Sequence, residues 1–136
     1  MADYSAELAA RFGDRLKKDE PLAKHVNFRI GGPADAYLEA KKSEDAIAAI
    51  RIARHAGAPW VVIGGGSNVL VADAGFRGLV VQIAFRDWRQ DGNRVTAEAG
   101  VLSAFLARAT VEAGLTGFEW AIGLPGTIGG AVRGNA

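Results

Sequence analysis

Cysteine is absent from this sequence of 136 residues, and the features of several common protein classes are missing with it. Without cysteine the chain has no disulfides, no thiolate metal ligands and no cysteine nucleophile. A net charge of +1 provides no broad attraction to nucleic acid or acidic lipid. No apolar run approaches the roughly 20 residues of a membrane helix, and the first residues lack a signal-peptide pattern. These absences predict a cytoplasmic protein that binds neither nucleic acid nor membranes.

Glycine, by contrast, is abundant, with eighteen residues in the chain. Seven of them fall between Gly114 and Gly134, where they interrupt apolar segments. The composition is otherwise that of a globular domain, with 49% apolar and 23% charged residues. We therefore expect the glycines to mark backbone that turns tightly or approaches another group closely.

The first forty residues predict one helix and two strands. Apolar periodicity indicates a helix over residues 5–17, and a short apolar run indicates a strand over residues 26–30. A second strand follows, because apolar and polar residues alternate with a period of two over residues 35–40. This alternation predicts burial of Ala36, Leu38 and Ala40, with Asp35, Tyr37 and Glu39 on the opposite face.

The next segment predicts a helix followed by a strand. Ser43 is the expected N-cap and Gly57 the expected stop. The wholly apolar run Trp60–Ile63 is typical of a strand that is covered on both faces. The helix is expected to bury Ala46, Ala49, Ile50 and Ala53.

The second half of the chain alternates strand and helix patterns less regularly. We expect strands over residues 69–71, 79–83 and 95–99, with a turn over residues 91–93. A helix is predicted over residues 103–113, ending at Gly114. The order is a mixed α+β pattern and not a regular βαβ repeat. The apolar stripe of the last helix is expected to contain Leu102, Phe105, Leu106 and Ala109.

A run of three glycines directly after the apolar strand predicts a phosphate-binding loop. Successive glycines allow backbone amides to converge on one anion, and Ser67 and Asn68 add side-chain donors. A Rossmann fingerprint is excluded because Val69 stands where glycine is required. A P-loop is excluded because Asn135 stands where lysine is required. The alternative is a glycine-rich turn without a ligand. The glycine loop, as we call it, comprises Gly64, Gly65, Gly66, Ser67, Asn68 and Val69.

A second glycine-rich stretch, residues 123–131, is called here the glycine segment. Pro125 and Gly126 predict a turn, and Gly129 and Gly130 offer a surface almost without side chains. Such a surface suits either a flat ring system or the close packing of two helices, and the residues alone favour neither.

Few residues have the pattern of acid–base or metal chemistry. His25 and His55 have no neighbouring metal ligands, so a loop and a helix end are their expected places. Glu119 lies beside Trp120 in an apolar context that would raise its pKa, although a capping or ion-pair role is favoured. No metal site and no nucleophile are predicted. The sequence indicates a binding platform.

Three segments, taken in order and with their spacing, identify a family resemblance. Residues 28–34 (FRIGGPA), 62–71 (VIGGGSNVLV) and 117–131 (GFEWAIGLPGTIGGA) resemble the UDP-N-acetylenolpyruvoylglucosamine reductases, also called UDP-N-acetylmuramate dehydrogenases. This resemblance implies an α+β fold of the PCMH (vanillyl-alcohol-oxidase-like) type, in which two small α+β subdomains hold FAD. Residues 1–21 would then be a helix and lead-in, and residues 22–136 an FAD-binding domain that is incomplete on its C-terminal side.

The same resemblance implies the roles of particular residues. Gly64, Gly65, Gly66, Ser67, Asn68 and Val69 would contact the pyrophosphate of FAD. Pro125, Gly126, Ile128, Gly129 and Gly130 would lie beside the flavin and its ribityl chain. Gly134 departs from the family pattern, in which a larger residue is usual at this position.

The implied activity is the reduction of the enolpyruvyl group of a UDP-sugar by NADPH through FAD, in peptidoglycan precursor synthesis. The catalytic arginine, serine and glutamate of the family would all lie beyond Ala136, as would its substrate-binding domain. Arg133 does not match the catalytic arginine, so no catalytic residue is assigned, and this chain alone is expected to be inactive. Another PCMH-type oxidase or dehydrogenase and a non-catalytic nucleotide-binding module are the alternatives.

Overall fold

The computed structural model describes residues 3–136, which divide into two compact units, the first ending at Ala84 and the second being Phe85–Ala136. We call them the N-terminal and C-terminal units. Each combines helices with its own sheet, so the predicted mixed α+β pattern is confirmed. The boundary between the two units lies after Ala84. Residues 1–21, predicted as a helix and lead-in, contribute a helix and a strand to the N-terminal unit.

The N-terminal unit is a four-stranded sheet with two helices. Its strand order is β1-β2-β4-β3, with β1 antiparallel to β2 and the other neighbouring pairs parallel. A parallel connection requires a crossover, and α2 provides it between β2 and β3. The elements are α1 (Tyr4–Phe12), β1 (Leu16–Pro21), β2 (Pro33–Ala40), α2 (Ser43–His55), β3 (Trp60–Ile63) and β4 (Phe76–Ile83), with 3-10 turns at Gly13–Arg15 and Leu22–His25.

Both faces of this sheet are covered along β2 and β4. Helix α2 packs on β2, β3 and β4, and its buried residues are Ala46, Ala49, Ile52 and Ala53. Alternation along β4 places Val80 on the face opposite Leu79 and Val81. Val80 belongs to a second buried cluster, formed by Leu22, Ala34, Tyr37, Ile63 and Val80, against which Val69, Val71 and Phe76 pack.

Two predictions about the start of the chain are wrong. The first helix ends at Phe12, not at residue 17, because Leu16 and Lys17 pair with Leu38 and Tyr37 as part of β1. Residues 26–30 form no strand and instead turn, with Arg29 at a φ of 55° and its N–H donating to the Val26 carbonyl. Strand pairing overrode the helical periodicity at residues 13–17, and a turn overrode the apolar run at residues 26–30.

Further corrections concern burial and boundaries. Tyr37 is 1% exposed instead of lying on a polar face, because the second cluster covers that side of β2. Helix α2 has Lys42 at its N-cap and Ser43 as its first residue, and it buries Ile52 more fully than Ile50. Strand β3 lies at the sheet edge with Trp60, Val61 and Val62 exposed, and residues 69–71 join no ladder.

The C-terminal unit consists of a hairpin followed by two helices. The turn over residues 91–93 and the helix ending before Gly114 occur where the sequence predicts them. The strand before the turn, Trp88–Asp91, is not predicted, and the strand after it ends at Ala97 instead of residue 99. The buried face of α3 differs, since Ser103, Leu106, Ala107 and Thr110 are buried whereas Leu102 and Phe105 are about half exposed. The elements are β5 (Trp88–Asp91), β6 (Arg94–Ala97), α3 (Ser103–Glu112), a 3-10 turn (Glu119–Gly123) and α4 (Ile128–Gly134).

Candidate functional site: two glycine-rich segments

The glycine loop begins where β3 ends, at the carboxyl end of the parallel strands. Ligands of open α/β sheets commonly bind beyond the carboxyl ends of strands. Residues 64–68 form bends and a turn, with Gly65 and Asn68 exposed and Gly66 buried. Within the described chain, no backbone N–H of residues 65–69 donates a hydrogen bond to another backbone group. These amides are therefore available to an anion.

Gly66 shows why part of this loop must be glycine. Its φ is +72°, and a Cβ atom at this position would overlap the carbonyl oxygen of His25. The Gly66 carbonyl in turn accepts a hydrogen bond of 2.9 Å from the Asn27 N–H. The glycine loop is thus joined directly to the turn that precedes β2, and Gly66 serves the fold as well as any ligand.

A chain of side-chain hydrogen bonds holds the start of the loop. The Gln82 Nε2 donates to the Gly64 carbonyl at 3.0 Å, and the Tyr37 hydroxyl donates to the Gln82 Oε1. His25 stacks on Tyr37 with a centroid distance of 4.2 Å, and its Nδ1 lies 3.1 Å from the Tyr37 hydroxyl. The chain ends where His25 Nε2 meets Glu20 Oε1 at 2.9 Å.

Burial raises the pKa of Tyr37 well above its ordinary value, with Glu39 and Glu20 adding to the shift. The hydroxyl therefore remains a neutral donor across the physiological range. Sequence reasoning missed Tyr37 and Gln82, because their positions in strands indicate only sheet packing. The one available signal was the position of Tyr37 between Ala36 and Leu38 in β2. A buried Tyr there would need a hydrogen-bond partner for its hydroxyl.

The glycine segment is fixed against residues 99–103 of its own unit. The N–H groups of Ile128 and Gly129 donate to Val101 and Ala99 carbonyls at 2.8 and 2.9 Å, and Ser103 N–H donates to Gly126 at 3.0 Å. Thr127 caps α4, its Oγ1 accepting from the Gly130 N–H at 3.2 Å. A Cβ on Gly129 would lie 2.8 Å from the Ala99 Cβ, so close packing requires glycine there.

The residues predicted beside the flavin occupy this one segment. Pro125 and Gly130 are exposed, and Gly126, Ile128 and Gly129 are partly buried. Ile128 also lines a cleft of about 1110 Å³ in the C-terminal unit, together with Ser103, Trp120 and Ala131. The structure thus places the two predicted groups of cofactor residues in different units, the glycine loop in one and the glycine segment in the other.

The remaining sequence candidates show no catalytic arrangement. His55 ends α2 and is exposed. Glu119 is also exposed, and hydrogen bonds from its own N–H and that of Gly117 lower its pKa. This suits the favoured capping role and not the alternative of a raised pKa. Among residues 3–136, no group of three His, Asp or Glu side chains is placed to hold a metal ion. No helix in that range is long and apolar enough to cross a membrane.

Comparison with solved structures defines the class of fold. A reductase from Thermus caldophilus, UDP-N-acetylenolpyruvylglucosamine reductase, matches with a TM-score of 0.67 and 31% identity, over 89% of this chain and 41% of the other. An alkyldihydroxyacetonephosphate synthase matches with a TM-score of 0.57 and 19% identity, over 82% of this chain and 25% of the other, a likeness of fold alone. The predicted PCMH-type α+β fold is confirmed by these neighbours.

Sequence comparison then gives the family. Residues 34–136 match the model of the FAD binding domain, and the chain belongs to this family. FAD is thereby confirmed as the predicted cofactor. A UDP-N-acetylenolpyruvoylglucosamine reductase from Rubrobacter xylanophilus is 47% identical over 122 residues, which are 88% of this chain and 41% of that protein. The chain thus spans about two-fifths of the length of the curated relatives it matches.

Proposed function

We propose that this chain is the FAD-binding part of a UDP-N-acetylenolpyruvoylglucosamine reductase. The observation that carries the proposal is the glycine loop, whose amides at residues 65–69 are unused by the backbone and lie after a parallel strand. Relatives that bear this reductase name at 40–47% identity support the choice of enzyme.

In this proposal the chain's own residues bind and orient the cofactor. Gly64, Gly65, Gly66, Ser67, Asn68 and Val69 contact the pyrophosphate, through backbone N–H groups and the two polar side chains. Pro125, Gly126, Ile128, Gly129 and Gly130 contact the flavin and ribityl chain. When bound, FAD supplies the redox chemistry by which NADPH reduces the enolpyruvyl group of the UDP-sugar, a step of peptidoglycan precursor synthesis in the cytoplasm. Residues 22–136 form the FAD-binding domain.

The sharpest test of the loop uses Gly65, not Gly66. Gly65 is exposed and lacks a positive φ, whereas a Cβ at Gly66 would overlap the His25 backbone. Gly65→Val therefore fills the space for the pyrophosphate at the less constrained of the two positions. We expect the wild-type chain to retain FAD, and Gly65→Val to weaken FAD binding at least ~10-fold, about 1.4 kcal/mol. Flavin absorbance after gel filtration and fluorescence titration measure the effect.

Ala10→Val, an exposed substitution on α1, is the matched control and should keep wild-type affinity. Circular dichroism and urea unfolding establish that both variants fold. A folded Gly65→Val that holds FAD as tightly as wild type would refute the role given to the loop.

The reductase activity needs a separate test, since the chain spans only part of its relatives. Residues 34–136 can replace the matching segment of the Rubrobacter reductase. We expect the chimera to carry FAD and to oxidise NADPH only when the enolpyruvyl UDP-sugar is present. A flavin-loaded chimera that reacts with oxygen and an alcohol or hydroxy acid, but not with NADPH, would instead indicate an oxidase.

A further inference from the structure

A cleft of about 480 Å³ lies beside the exposed Gly65 of the glycine loop. Most of its other lining residues come from the turn between β1 and β2, residues 24–29, which contributes two cations, Lys24 and Arg29. No carboxylate lines the cleft. The lining residues are Lys24, His25, Val26, Asn27, Arg29, Gly65 and Gln82.

Neither cation has an acidic partner in the part of the chain that the structure describes. Arg15, Lys17, Lys41 and Arg77 each lie within 4.0 Å of a carboxylate, as does His25. Lys24 and Arg29 belong to no such pair. Two unpaired like charges in one cleft repel each other, and a bound anion removes that repulsion.

The wall that carries these cations is tied to the glycine loop. Asn27 N–H donates to the Gly66 carbonyl at 2.9 Å, and Gly66 packs against the His25 backbone. Arg29 adopts a φ of 55°, a region that L-residues rarely occupy. The turn holds Arg29 there through its N–H bond to the Val26 carbonyl, at 3.1 Å. Lys24, Arg29 and Gly65, whose N–H has no backbone acceptor, therefore line the same cleft.

We propose that Lys24 and Arg29 form the cationic wall of a diphosphate-binding cleft whose other wall is the glycine loop. The guanidinium of Arg29 is suited to bidentate contact with phosphate oxygens, and the ammonium of Lys24 contributes a point charge. The ligand class is a diphosphate ester, and the proposal rests on the proposed function in taking that ester to be the central part of FAD.

The test titrates inorganic pyrophosphate into the whole chain by calorimetry at low and moderate salt. The variant Lys24→Ala/Arg29→Gly removes both cations, and glycine accepts the positive φ of residue 29 without strain. We expect at least ~10-fold weaker binding and a shallower dependence on salt concentration. Arg29→Lys keeps the charge but not the paired donors of the guanidinium, so its affinity should lie between those of wild type and the double variant.

Arg51→Ala/Arg54→Ala is the matched control. It removes the same net charge from exposed positions of α2, which line a different cleft. We expect its pyrophosphate affinity to stay within ~2-fold of wild type. An equal loss in the control, or no binding of pyrophosphate by wild type, would overturn the proposal, as would unchanged binding by the Lys24/Arg29 variant.

Parallel titrations with FAD and with riboflavin, which lacks phosphate, separate the two proposals. Pyrophosphate binding that depends on Lys24 and Arg29, without FAD retention, would support the cationic wall and overturn the proposed function. FAD retention that survives loss of both cations would support the proposed function and overturn the cationic wall. If the variant binds FAD more weakly than wild type but binds riboflavin equally well, the result supports both the proposed function and the cationic wall.

Discussion

At the scale of single residues, Tyr37 connects the sheet core to the glycine loop. Its ring stacks on His25 in a buried position, and its hydroxyl bonds Gln82, which in turn holds the Gly64 carbonyl. The sequence predicted a polar, exposed place for Tyr37 because its neighbours alternate. A second apolar layer on that face, formed partly by residues distant in sequence, could not be read from a local pattern.

Tyr37→Phe should destabilise the N-terminal unit by about 1–2 kcal/mol at pH 7, since it removes the donor to the partly buried Gln82 Oε1. The folded pKa is raised above the unfolded value of about 10, so the stabilisation is complete below pH 10. This stabilisation is lost as the pH rises above 10, so the difference in free energy of unfolding between wild type and variant should narrow there. Urea unfolding between pH 7 and pH 11 measures it.

Tyr4→Phe serves as the control for this series. Burial also raises the pKa of Tyr4, but its hydroxyl makes no side-chain hydrogen bond in the described chain. We expect little effect at pH 7. A Tyr37→Phe deficit that is constant from pH 7 to pH 11 would contradict the explanation by hydroxyl burial.

At the scale of elements, α2 and the 3-10 turn after α1 are joined by the Arg15–Asp45 ion pair. The Arg15 Nη2 lies 2.6 Å from the Asp45 Oδ2. The hydrogen bond from Arg15 lowers the pKa of Asp45, and backbone hydrogen bonds at the start of α2 add to it. The existence of α2 followed from its sequence, whereas this pairing depends on the 3-10 turn replacing the predicted continuation of α1.

Asp45→Asn should cost no more than about 1 kcal/mol at pH 7, because the pair is partly exposed to solvent. A depressed pKa means that the stabilisation is present above the unfolded value near 4 and is lost as the pH falls. The deficit should therefore disappear in acid, as measured by urea unfolding at pH 7 and near pH 2.5. Glu44→Gln, in the same helical turn, is the control.

If Glu44→Gln lowered the free energy of unfolding more than Asp45→Asn does, the helix dipole, and not the ion pair with Arg15, would account for most of the stabilisation by these carboxylates. Both substitutions remove one acidic charge from the first turn of α2, but only Asp45 has the ion pair with Arg15 and the backbone hydrogen bonds of Lys41 and Lys42.

At the scale of the whole molecule, the two edges of the four-stranded sheet differ in character. Strand β1 carries Lys17, Lys18 and Pro21, residues that discourage edge-to-edge association. Strand β3 instead exposes Trp60, Val61 and Val62. The sequence predicted that β3 is covered on both faces, because its apolar run is typical of a central parallel strand. The sheet order, which no local pattern encodes, places it at an edge.

We expect this edge to promote concentration-dependent association of the chain. Val62→Lys should shift the distribution toward monomer in analytical ultracentrifugation, since a charge at an edge opposes strand pairing. Lys18→Val, at the charged edge, is the opposite control and should increase association. Equal sedimentation of wild type and Val62→Lys at all concentrations would contradict this role of β3.

The sequence by itself determined α2, α3, the turn over residues 91–93 and both glycine clusters, and the resemblance of three segments gave the FAD-binding family. The helices depend on local periodicity and on residues that end a helix, and the glycine clusters on a residue type that turns and close approaches require. Only the tertiary structure decided that Leu16–Pro21 is a strand, that residues 26–30 form a turn, and that this turn places Lys24 and Arg29 beside the glycine loop. The reason is physical: pairing between distant strands and packing of a second layer contribute more free energy than the weak local preferences they override.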